Sequence, residues 1–461
     1  MRTRKKLVVA RNEVTKQSPS TIFFRGLLRG RSQRQNVLPI NHYKSYKFLK
    51  YFFLSFLFVI FITACGSDYT ARTSSALRSF ERGDFDSALK GIESQSKKKL
   101  DRLLFLIDKG VVLHTAGKYK ESIVVLQEAE DYSESIDYLS VSNELVSLFT
   151  NERMRAYKGE AYERVLINVF KAIDYIMLGD IENALVECRR INEKLEKFNK
   201  ILKLSQMDPF PRYISGVLFE ANNDINDAYI DYKLMHKIDP NFYYLASDLL
   251  SLSKKLGFLD DFSEWEKVFG VGGEALRPSG KDMGELVFVY ECGLSPKKES
   301  TEMNSQAQIL PIPVYRDRPS QISHAEIYIN SELQSRTYLL SDIGKLSKIY
   351  LDKRIAAYVA RGIARLAIKE GTAVAVGKYV NKDLGILVGI AMLFTNRADL
   401  RSAMTLPENI QIARVFLKEG VSDIEVRFVG KQGGYIPPSK IFSQVEINRG
   451  KKTFLNFRTF R

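Results

Sequence analysis

The 461-residue chain has 69 Lys and Arg residues and 54 Asp and Glu residues, which gives a formal net charge of +15. Hydrophobic residues make up 45% of it and charged residues 27%, a composition that excludes disorder of the whole chain. Thirteen basic residues but one acidic residue, Glu13, lie within 1–64, so the remaining chain carries 56 basic and 53 acidic residues. This balance excludes a general attraction to phosphate, and we expect no nucleic-acid partner.

The N-terminal region has the layout of a secretory signal. Three lysines precede the apolar run 51–62, and Ala64 and Cys65 follow shortly after it. Twelve residues are too few to span a bilayer, which needs ~20. A cysteine directly after Ala64 resembles a bacterial lipobox, which predicts cleavage between Ala64 and Cys65 and fatty acylation of Cys65. The alternative is a plain cleaved signal with an incidental cysteine.

These segments set the expected location. We interpret 1–49 as a basic disordered arm or an over-extended gene start, and 50–64 as the apolar part of the lipoprotein signal. Gly66 and Ser67, rather than Asp, follow the cysteine, as in lipoproteins that are sent on to the outer membrane of Gram-negative bacteria. We therefore expect a cell-envelope protein, lipid-anchored at the outer membrane and facing the periplasm.

Residues 65–269 have helical periodicity and a recurring motif. The motif is a turn residue followed by an apolar or aromatic residue and then a small one: Gly83, Phe85, Ala88; Gly117, Tyr119, Ser122; Gly179, Ile181, Ala184; Asn223, Ile225, Ala228. The first two copies are 34 residues apart, the length of a tetratricopeptide repeat. Glycine would end the first helix of a pair, and the small residue would let the two helices approach closely. Gly216 and Pro240 add further marks of such a repeat around the fourth copy. An unrelated helical bundle is the alternative.

A region of different character follows a Gly- and Pro-containing linker at 270–284. Residues 285–461 contain short strand-like runs, and we predict hairpins that pair 410–417 with 421–429 and 443–447 with 453–457. Between the earlier strand-like runs and these hairpins, 343–369 has the pattern of an amphipathic helix with a basic polar face. The predicted fold class is therefore α + β: an N-terminal α-helical tetratricopeptide-like solenoid, followed by a smaller α+β domain with C-terminal antiparallel hairpins.

Residues with the chemistry of a catalytic or metal site are scattered. His114, His236 and His324 are far apart, and none has a second metal ligand at helical spacing. His324 and Glu326 could share one face of a strand, which is weak support for acid–base chemistry. Cys188 falls in a helical pattern and is expected to be a buried apolar residue. We therefore predict no catalytic residue, no metal and no cofactor.

Two stretches resemble a family of bacterial envelope lipoproteins with tetratricopeptide-like repeats. One is Tyr157–Arg164 (YKGEAYER) together with Gly179-Asp180 and the run 184–190, and the other is 397–402 with Leu406-Pro407. The resemblance implies a setting in the cell envelope. The family has no assigned catalytic residue that could be transferred to this chain.

The function that these observations favour is a membrane-anchored, non-catalytic adaptor or assembly factor. Helical-repeat arrays expose surfaces that bind peptides and proteins. We therefore expect a protein partner in the cell envelope and a membrane contact through the lipid anchor. Two alternatives stay open: an envelope hydrolase or sugar-binding protein that uses 285–461, and a pilot-like chaperone for an outer-membrane subunit.

Overall fold

The computed structural model describes residues 69–140, 155–202, 208–272, 276–278, 282–305, 308–355 and 398–460, together with Val359 and Lys378. These residues belong to one compact unit that spans Ser67–Arg461. The predicted arm 1–49, the signal 50–64 and the lipidation site at Cys65 lie outside the described residues.

The N-terminal part consists of helices that follow one another in pairs. They are α1 (Tyr69–Glu81) and α2 (Phe85–Glu93), α3 (Arg102–Thr115) and α4 (Tyr119–Ser140), α5 (Ala161–Met177) and α6 (Ile181–Leu202), α7 (Pro209–Ala221) and α8 (Ile225–Ile238), and α9 (Leu245–Leu256) and α10 (Leu259–Phe269). Each helix packs against its partner in the pair and against the next pair. The predicted tetratricopeptide-like helical array is confirmed.

The turns within the first four helix pairs all have the same backbone conformation. Gly83, Gly117 and Gly179 have φ of 76°, 73° and 77°, and Asn223 has φ of 64° in the fourth copy. The amide of each residue donates to the carbonyl three residues earlier, and the next amide donates to the carbonyl five residues earlier. This bonding satisfies carbonyls at the end of the first helix, and it requires the left-handed conformation that Gly and Asn tolerate best.

The small residues of the motif lie where helices touch. Ala88, Ala184 and Ala228 are fully buried. At Gly216 in α7, an added Cβ would lie 2.8 Å from a ring carbon of Tyr232 in α8, so this crossing has no room for a side chain. Pro240 follows Asp239, the C-cap of α8, where a proline cannot continue a helix.

A fifth pair, α9 and α10, has the same turn without the predicted motif. Gly257 has φ of 75°, and the Phe258 amide donates to the carbonyl of Ser253, five residues earlier. In place of the small residue of the other copies this pair has Phe262, which packs partly buried against the core. The sequence motif did not identify this fifth pair, because the pair keeps the glycine of the turn but lacks the small residue five positions later.

The described residues of the C-terminal part form ten strands: β1 (Met283–Cys292), β2 (Lys297–Ser305), β3 (Gln308–Arg316), β4 (Ile322–Ile329), β5 (Glu332–Arg336), β6 (Tyr338–Asp342), β7 (Asn409–Lys418), β8 (Gly420–Gly430), β9 (Tyr435–Ile447) and β10 (Lys452–Thr459). Sheet 1 has the order β10-β1-β7-β6, sheet 2 has the order β5-β4-β8-β9, and β2 and β3 form a separate hairpin. Within sheet 1, β1 is parallel to β10 and antiparallel to β7.

Sheet 1 lies between the helices and sheet 2 and is buried on both faces. Alternate residues of β1 show this arrangement. Leu286, Phe288 and Tyr290 pack in a core with residues of sheet 2. Val287 and Val289 pack in a second core with the helices. Residues on both sides of the predicted linker 270–284 thus share one hydrophobic core.

The predicted α+β class with C-terminal antiparallel hairpins is confirmed, but the strand pairs differ from the predicted ones. The hairpin at this end of the chain is β8–β9. The runs 410–417 and 421–429 lie in different sheets, as do 443–447 and 453–457. Short connections at Glu419 and at 448–451 therefore carry the chain from one layer of the sandwich to the other. Sequence alternation identifies strands but does not say which neighbour each strand bonds.

The predicted basic helix is present over 343–355, and the rest of 343–369 lies outside the described residues except for Val359. Ile343, Leu346 and Tyr350 on one face are buried. The basic face is partly paired: Lys348 contacts Asp317 and Arg354 contacts Glu160. This segment packs as a core helix with a charged outer face.

Candidate functional site: the inner face of the helical array

The first helix of every pair faces the C-terminal part of the same chain. From α1, Phe80 packs on Phe460 with ring centroids 4.6 Å apart. Further contacts include hydrogen bonds that each successive first helix accepts: Asp108 from Thr405, Glu163 from Ala403, Tyr213 from Arg414, and Asp248 from Arg414. We call this contact the inner seam. It covers the surface with which an open solenoid would bind a peptide.

The two stretches that carry the family resemblance meet at the inner seam. Arg401 lies over the ring of Tyr157 at 5.3 Å and donates to the backbone carbonyl of Arg155 at 2.9 Å. The amide of Ala403 donates to Glu163 Oε1 at 2.9 Å. Residues nearly 250 positions apart in sequence therefore form one structural unit.

Two neighbouring carboxyl groups at this junction have opposite pKa shifts. Burial alone would raise the pKa of Glu160, but the charges of Lys298 and Arg354 lower it to about 2. Burial and the nearby Glu160 charge raise the pKa of Glu163 to about 7. Glu163 also accepts hydrogen bonds from the Tyr157 hydroxyl and the Glu160 amide, at 2.7 and 2.8 Å. Both of its oxygens thus accept hydrogen bonds from structural partners.

A larger buried cluster surrounds Arg414 in β7. Its guanidinium donates to Tyr213 Oη at 2.8 Å, to Asp248 Oδ1 at 2.7 Å, and to Glu285. Burial alone would lower the pKa of Arg414, but the carboxylates of Asp248 and Glu285 raise it well above its usual value. The cluster continues through ion pairs of Arg277 with Glu220 and Asp248 and of Lys452 with Glu285. It joins α7, α9, β1, β7 and β10.

A third cluster contains His114, which sequence spacing had left without partners. Its Nδ1 lies 2.5 Å from Asp174 and its Nε2 lies 2.8 Å from Glu291, and all three side chains are fully buried. Burial alone would lower the pKa of His114, but the two carboxylates raise it to about 10. Both ring nitrogens therefore carry protons at neutral pH, and neither can accept one as a general base.

The other histidines and cysteines of the described ranges contact neighbouring side chains or are buried. His236 packs against Trp265 with ring centroids 5.1 Å apart and ring planes inclined at 59°. His324 and Glu326 are neighbours on one face of β4, with 3.8 Å between the charged atoms. Cys188 and Cys292 are free thiols inside the protein, and burial raises the pKa of each. A thiol of raised pKa is a poor nucleophile.

The predicted repeat residues lie near the inner seam or in the turns beside it. Phe85 packs on Phe80, with ring centroids 6.0 Å apart, and Tyr119 lies at the same distance from the His114 ring. Gly83, Gly117 and Gly179 shape the turns and contribute no side chain. Sequence reasoning missed Glu285, Glu291 and Arg414. The available signal was a charged residue at an inward position of an apolar strand, which requires a buried partner.

The outer face of sheet 2, opposite the helices, is exposed. Register places Leu333, Tyr328, Glu425 and Ile441 in one row across β5, β4, β8 and β9. Leu333 and Ile441 are 54% and 57% exposed, and Tyr435 on the same face is 49% exposed. Three large apolar side chains thus face solvent on this face of sheet 2.

Two further observations concern membrane-spanning helices and metal-binding clusters. Within the described ranges, no helix has the length and apolar character needed to cross a membrane. No cluster of three or more His, Cys, Asp or Glu residues with metal-binding geometry occurs among these same residues.

The chain is similar to solved structures of helical-repeat proteins. MamA of Desulfovibrio magneticus RS-1, from residue 41 to its end, matches 44% of this chain over 93% of its own length, at 12% identity and a TM-score of 0.30. A tetratricopeptide repeat protein from Parabacteroides merdae matches 44% of this chain over 65% of its length, at 17% identity and a TM-score of 0.30. No protein-family model matches the sequence, and no curated protein is significantly similar to it. Likeness at these scores carries no conclusion about what the chain binds.

Proposed function

We propose that this chain is a non-catalytic adaptor that binds a protein partner in the bacterial cell envelope and is anchored there by lipid at Cys65. The observation that carries the proposal is the division of its surfaces. The inner face of the helical array is covered by the chain's own sheet 1, whereas the outer face of sheet 2 exposes apolar side chains.

The covered inner face bears on how the partner binds. Arg414, Glu163 and Asp108 on the inner seam already use their hydrogen-bonding groups within the chain. Opening the seam would leave charges without partners, and breaking such pairs costs about 3–5 kcal/mol for each one lost. A partner therefore binds at a lower cost in free energy to a surface that is already exposed.

The row on sheet 2 has the composition of a protein-binding surface. Leu333 and Ile441 supply apolar area at its two ends, and Arg427 lies 4.0 Å over the Tyr328 ring and pairs with Glu425 at 2.7 Å. Tyr and Arg are among the residue types in which the binding energy of protein interfaces concentrates. The pairing of Arg427 within the row holds the ring and the charge in fixed positions.

The non-catalytic assignment rests on the engagement of the polar clusters. His114 has both nitrogens bonded to carboxylates, and Glu163 has three structural donors. General acid–base catalysis needs a group within hydrogen-bond reach of a substrate. These groups are instead committed to joining the helices to the sheet.

Affinity capture with matched variants tests the proposal. The full-length chain, solubilised in mild detergent, is used to capture proteins from envelope extracts as wild type, as Leu333→Asp with Ile441→Asp, and as Val124→Asp with Val268→Asp. Val124 in α4 and Val268 in α10 are 68% and 50% exposed and lie outside sheet 2, so the control pair adds the same charge elsewhere on the surface. We expect the sheet 2 variant to retain less than a tenth of a captured partner and the control to retain most of it. Equal capture by all three proteins would contradict the assignment of the surface.

A further inference from the structure

Two arginines at one end of sheet 1 have N–H groups that no described residue accepts. Arg458 in β10 has a side chain only 1% exposed; its Nη2 donates to the Gly293 carbonyl at 3.1 Å, but Nε and Nη1 make no hydrogen bond within the described ranges. Arg318 donates through Nε and Nη2 to the carbonyls of Ser295 and Met404, at 2.7 and 2.9 Å. Its Nη1 is likewise unpartnered among the described residues.

The two guanidinium groups are held close together. Both are bonded to the short connection between β1 and β2, at Gly293 and Ser295, whose carbonyl oxygens are at most ~7 Å apart along the chain. Three nitrogens without a hydrogen bond among the described residues, two on Arg458 and one on Arg318, therefore belong to one small region, and Arg458 Nη1 has only the ion pair with Glu291 at 3.6 Å. The three nitrogens are themselves buried, but Arg318 as a residue is partly exposed and marks the side of the region nearest to solvent.

The charge of this pair is less well compensated than that of the other buried arginines. Carboxylates raise the pKa of Arg414 and Arg277 well above the usual value, against the effect of burial. Burial instead lowers the pKa of Arg318 and of Arg458 to about 10, and the charge of Arg318 contributes to the shift at Arg458. Both side chains are still cationic at neutral pH.

The nearest carboxylates compensate the arginine pair only in part. Glu291 Oε1 bonds His114, and Glu291 Oε2 forms a long ion pair with Arg458 Nη1 at 3.6 Å, beyond hydrogen-bond distance. Asp108 accepts hydrogen bonds from Tyr69, Met404 and Thr405. The charges of Glu81 and Asp108 act to raise the pKa of Arg318 but do not offset its burial.

We propose that Arg318 and Arg458 form a binding site for a phosphate-class oxyanion, either free phosphate or the phosphate of a small headgroup. Guanidinium groups match phosphate geometry and form strong charge-assisted hydrogen bonds. Nitrogens on two separate guanidinium groups suit a tetrahedral anion with several oxygens better than a carboxylate with two. This site is independent of the proposed adaptor function.

Calorimetric titration of the full-length chain in detergent tests the site. Inorganic phosphate is titrated at neutral pH against a chloride titration of equal ionic strength, and glycerol 3-phosphate is used as a soluble headgroup. We expect saturable binding of phosphate but not of chloride. Tighter binding of glycerol 3-phosphate would identify a headgroup as the source, and equal or weaker binding would identify free phosphate.

Matched variants locate the binding. Arg318→Gln is expected to weaken it at least tenfold, whereas Arg316→Gln, an equal charge change at an exposed residue nearby, is expected to leave it unchanged. Arg458→Lys keeps the charge but loses the planar fork, and it should weaken binding in protein that retains the wild-type circular dichroism spectrum. The proposal is overturned if wild type binds phosphate no better than chloride, or if Arg318→Gln binds as Arg316→Gln does.

Discussion

Glu163 Oε1 accepts a 2.9 Å hydrogen bond from the backbone amide of Ala403, a residue 240 positions later in the chain. Glu163 lies in the first turn of α5, and Ala403 lies in the segment that leads into β7. The bond therefore joins the helical array to sheet 1 at the place where the two resemblance motifs meet. Because the carboxyl group is fully buried, its protonation affects how strongly the two parts are joined.

The first prediction concerns the pH dependence of this junction. The pKa of Glu163 is raised from 4.5 to about 7, so the folded state holds this proton more tightly than the unfolded state does. Its contribution to stability is fully present below pH 4.5 and is lost as pH rises to 7, by up to about 3 kcal/mol. Denaturant unfolding at pH 5 and pH 8 measures this change. Glu163→Gln should remove this part of the difference, and an unchanged difference in the variant would contradict the assignment.

The second prediction concerns the charge cluster at Arg414. Arg414→Gln leaves Asp248 and Glu285 buried without their main partner, and we expect a loss of about 3–5 kcal/mol in the free energy of unfolding. Arg427→Gln removes a partly exposed arginine from its pair with Glu425 and should cost less than about 1 kcal/mol. Chemical denaturation of both variants gives the comparison. Similar losses would show that the inner seam does not depend on the cluster.

The fold was largely predictable because its repeats are local. The turns were predictable from glycine, which adopts the left-handed conformation that most other residues avoid, at Gly83, Gly117 and Gly179. The helix contacts were predictable from the small residues at 88, 184 and 228, which are buried. Each of these signals depends on neighbours within one helix pair, so a single sequence contains it.

The candidate site was not predictable in the same way. Arg414 meets Asp248, and His114 meets Glu291, across 166 and 177 residues. No spacing rule relates such residues, because their contact depends on how sheet 1 lies on the helices. The parallel pairing of β1 with β10 was missed for the same reason, since it joins strands from opposite ends of the C-terminal part.

The third prediction concerns the repeated turn. Gly179 has φ of 77° with open space around its Cα, so Gly179→Ala should cost about 1–2 kcal/mol from backbone strain alone. Asn223 occupies the equivalent position with φ of 64°, and Asn223→Gly should be neutral or slightly stabilising. Thermal unfolding of both variants measures these effects. A neutral Gly179→Ala would contradict the left-handed conformation of the turn.

The fourth prediction concerns the proposed anchor. Cys65→Ser should leave the precursor unprocessed and abolish the incorporation of fatty acid, because the proposed lipid is attached through the Cys65 thiol. Each buried methylene of an acyl chain contributes about 0.8 kcal/mol to membrane binding, so the variant should leave the membrane fraction if it is released from its signal. Metabolic labelling with fatty acid and fractionation measure both effects. Labelling that persists in the variant would refute the lipoprotein assignment.

The central claim is that the inner face of the helices is occupied by the chain itself and that the partner binds the outer face of sheet 2. Site-specific photo-crosslinking in intact cells tests it most directly, with a photoreactive amino acid placed at Ile441 in one protein and at Ile176 in another. Ile441 is 57% exposed, and Ile176 packs in the core that the helices share with sheet 1. We predict an adduct with another protein from position 441 and none from position 176. An intermolecular adduct from position 176 without one from position 441 would contradict the account.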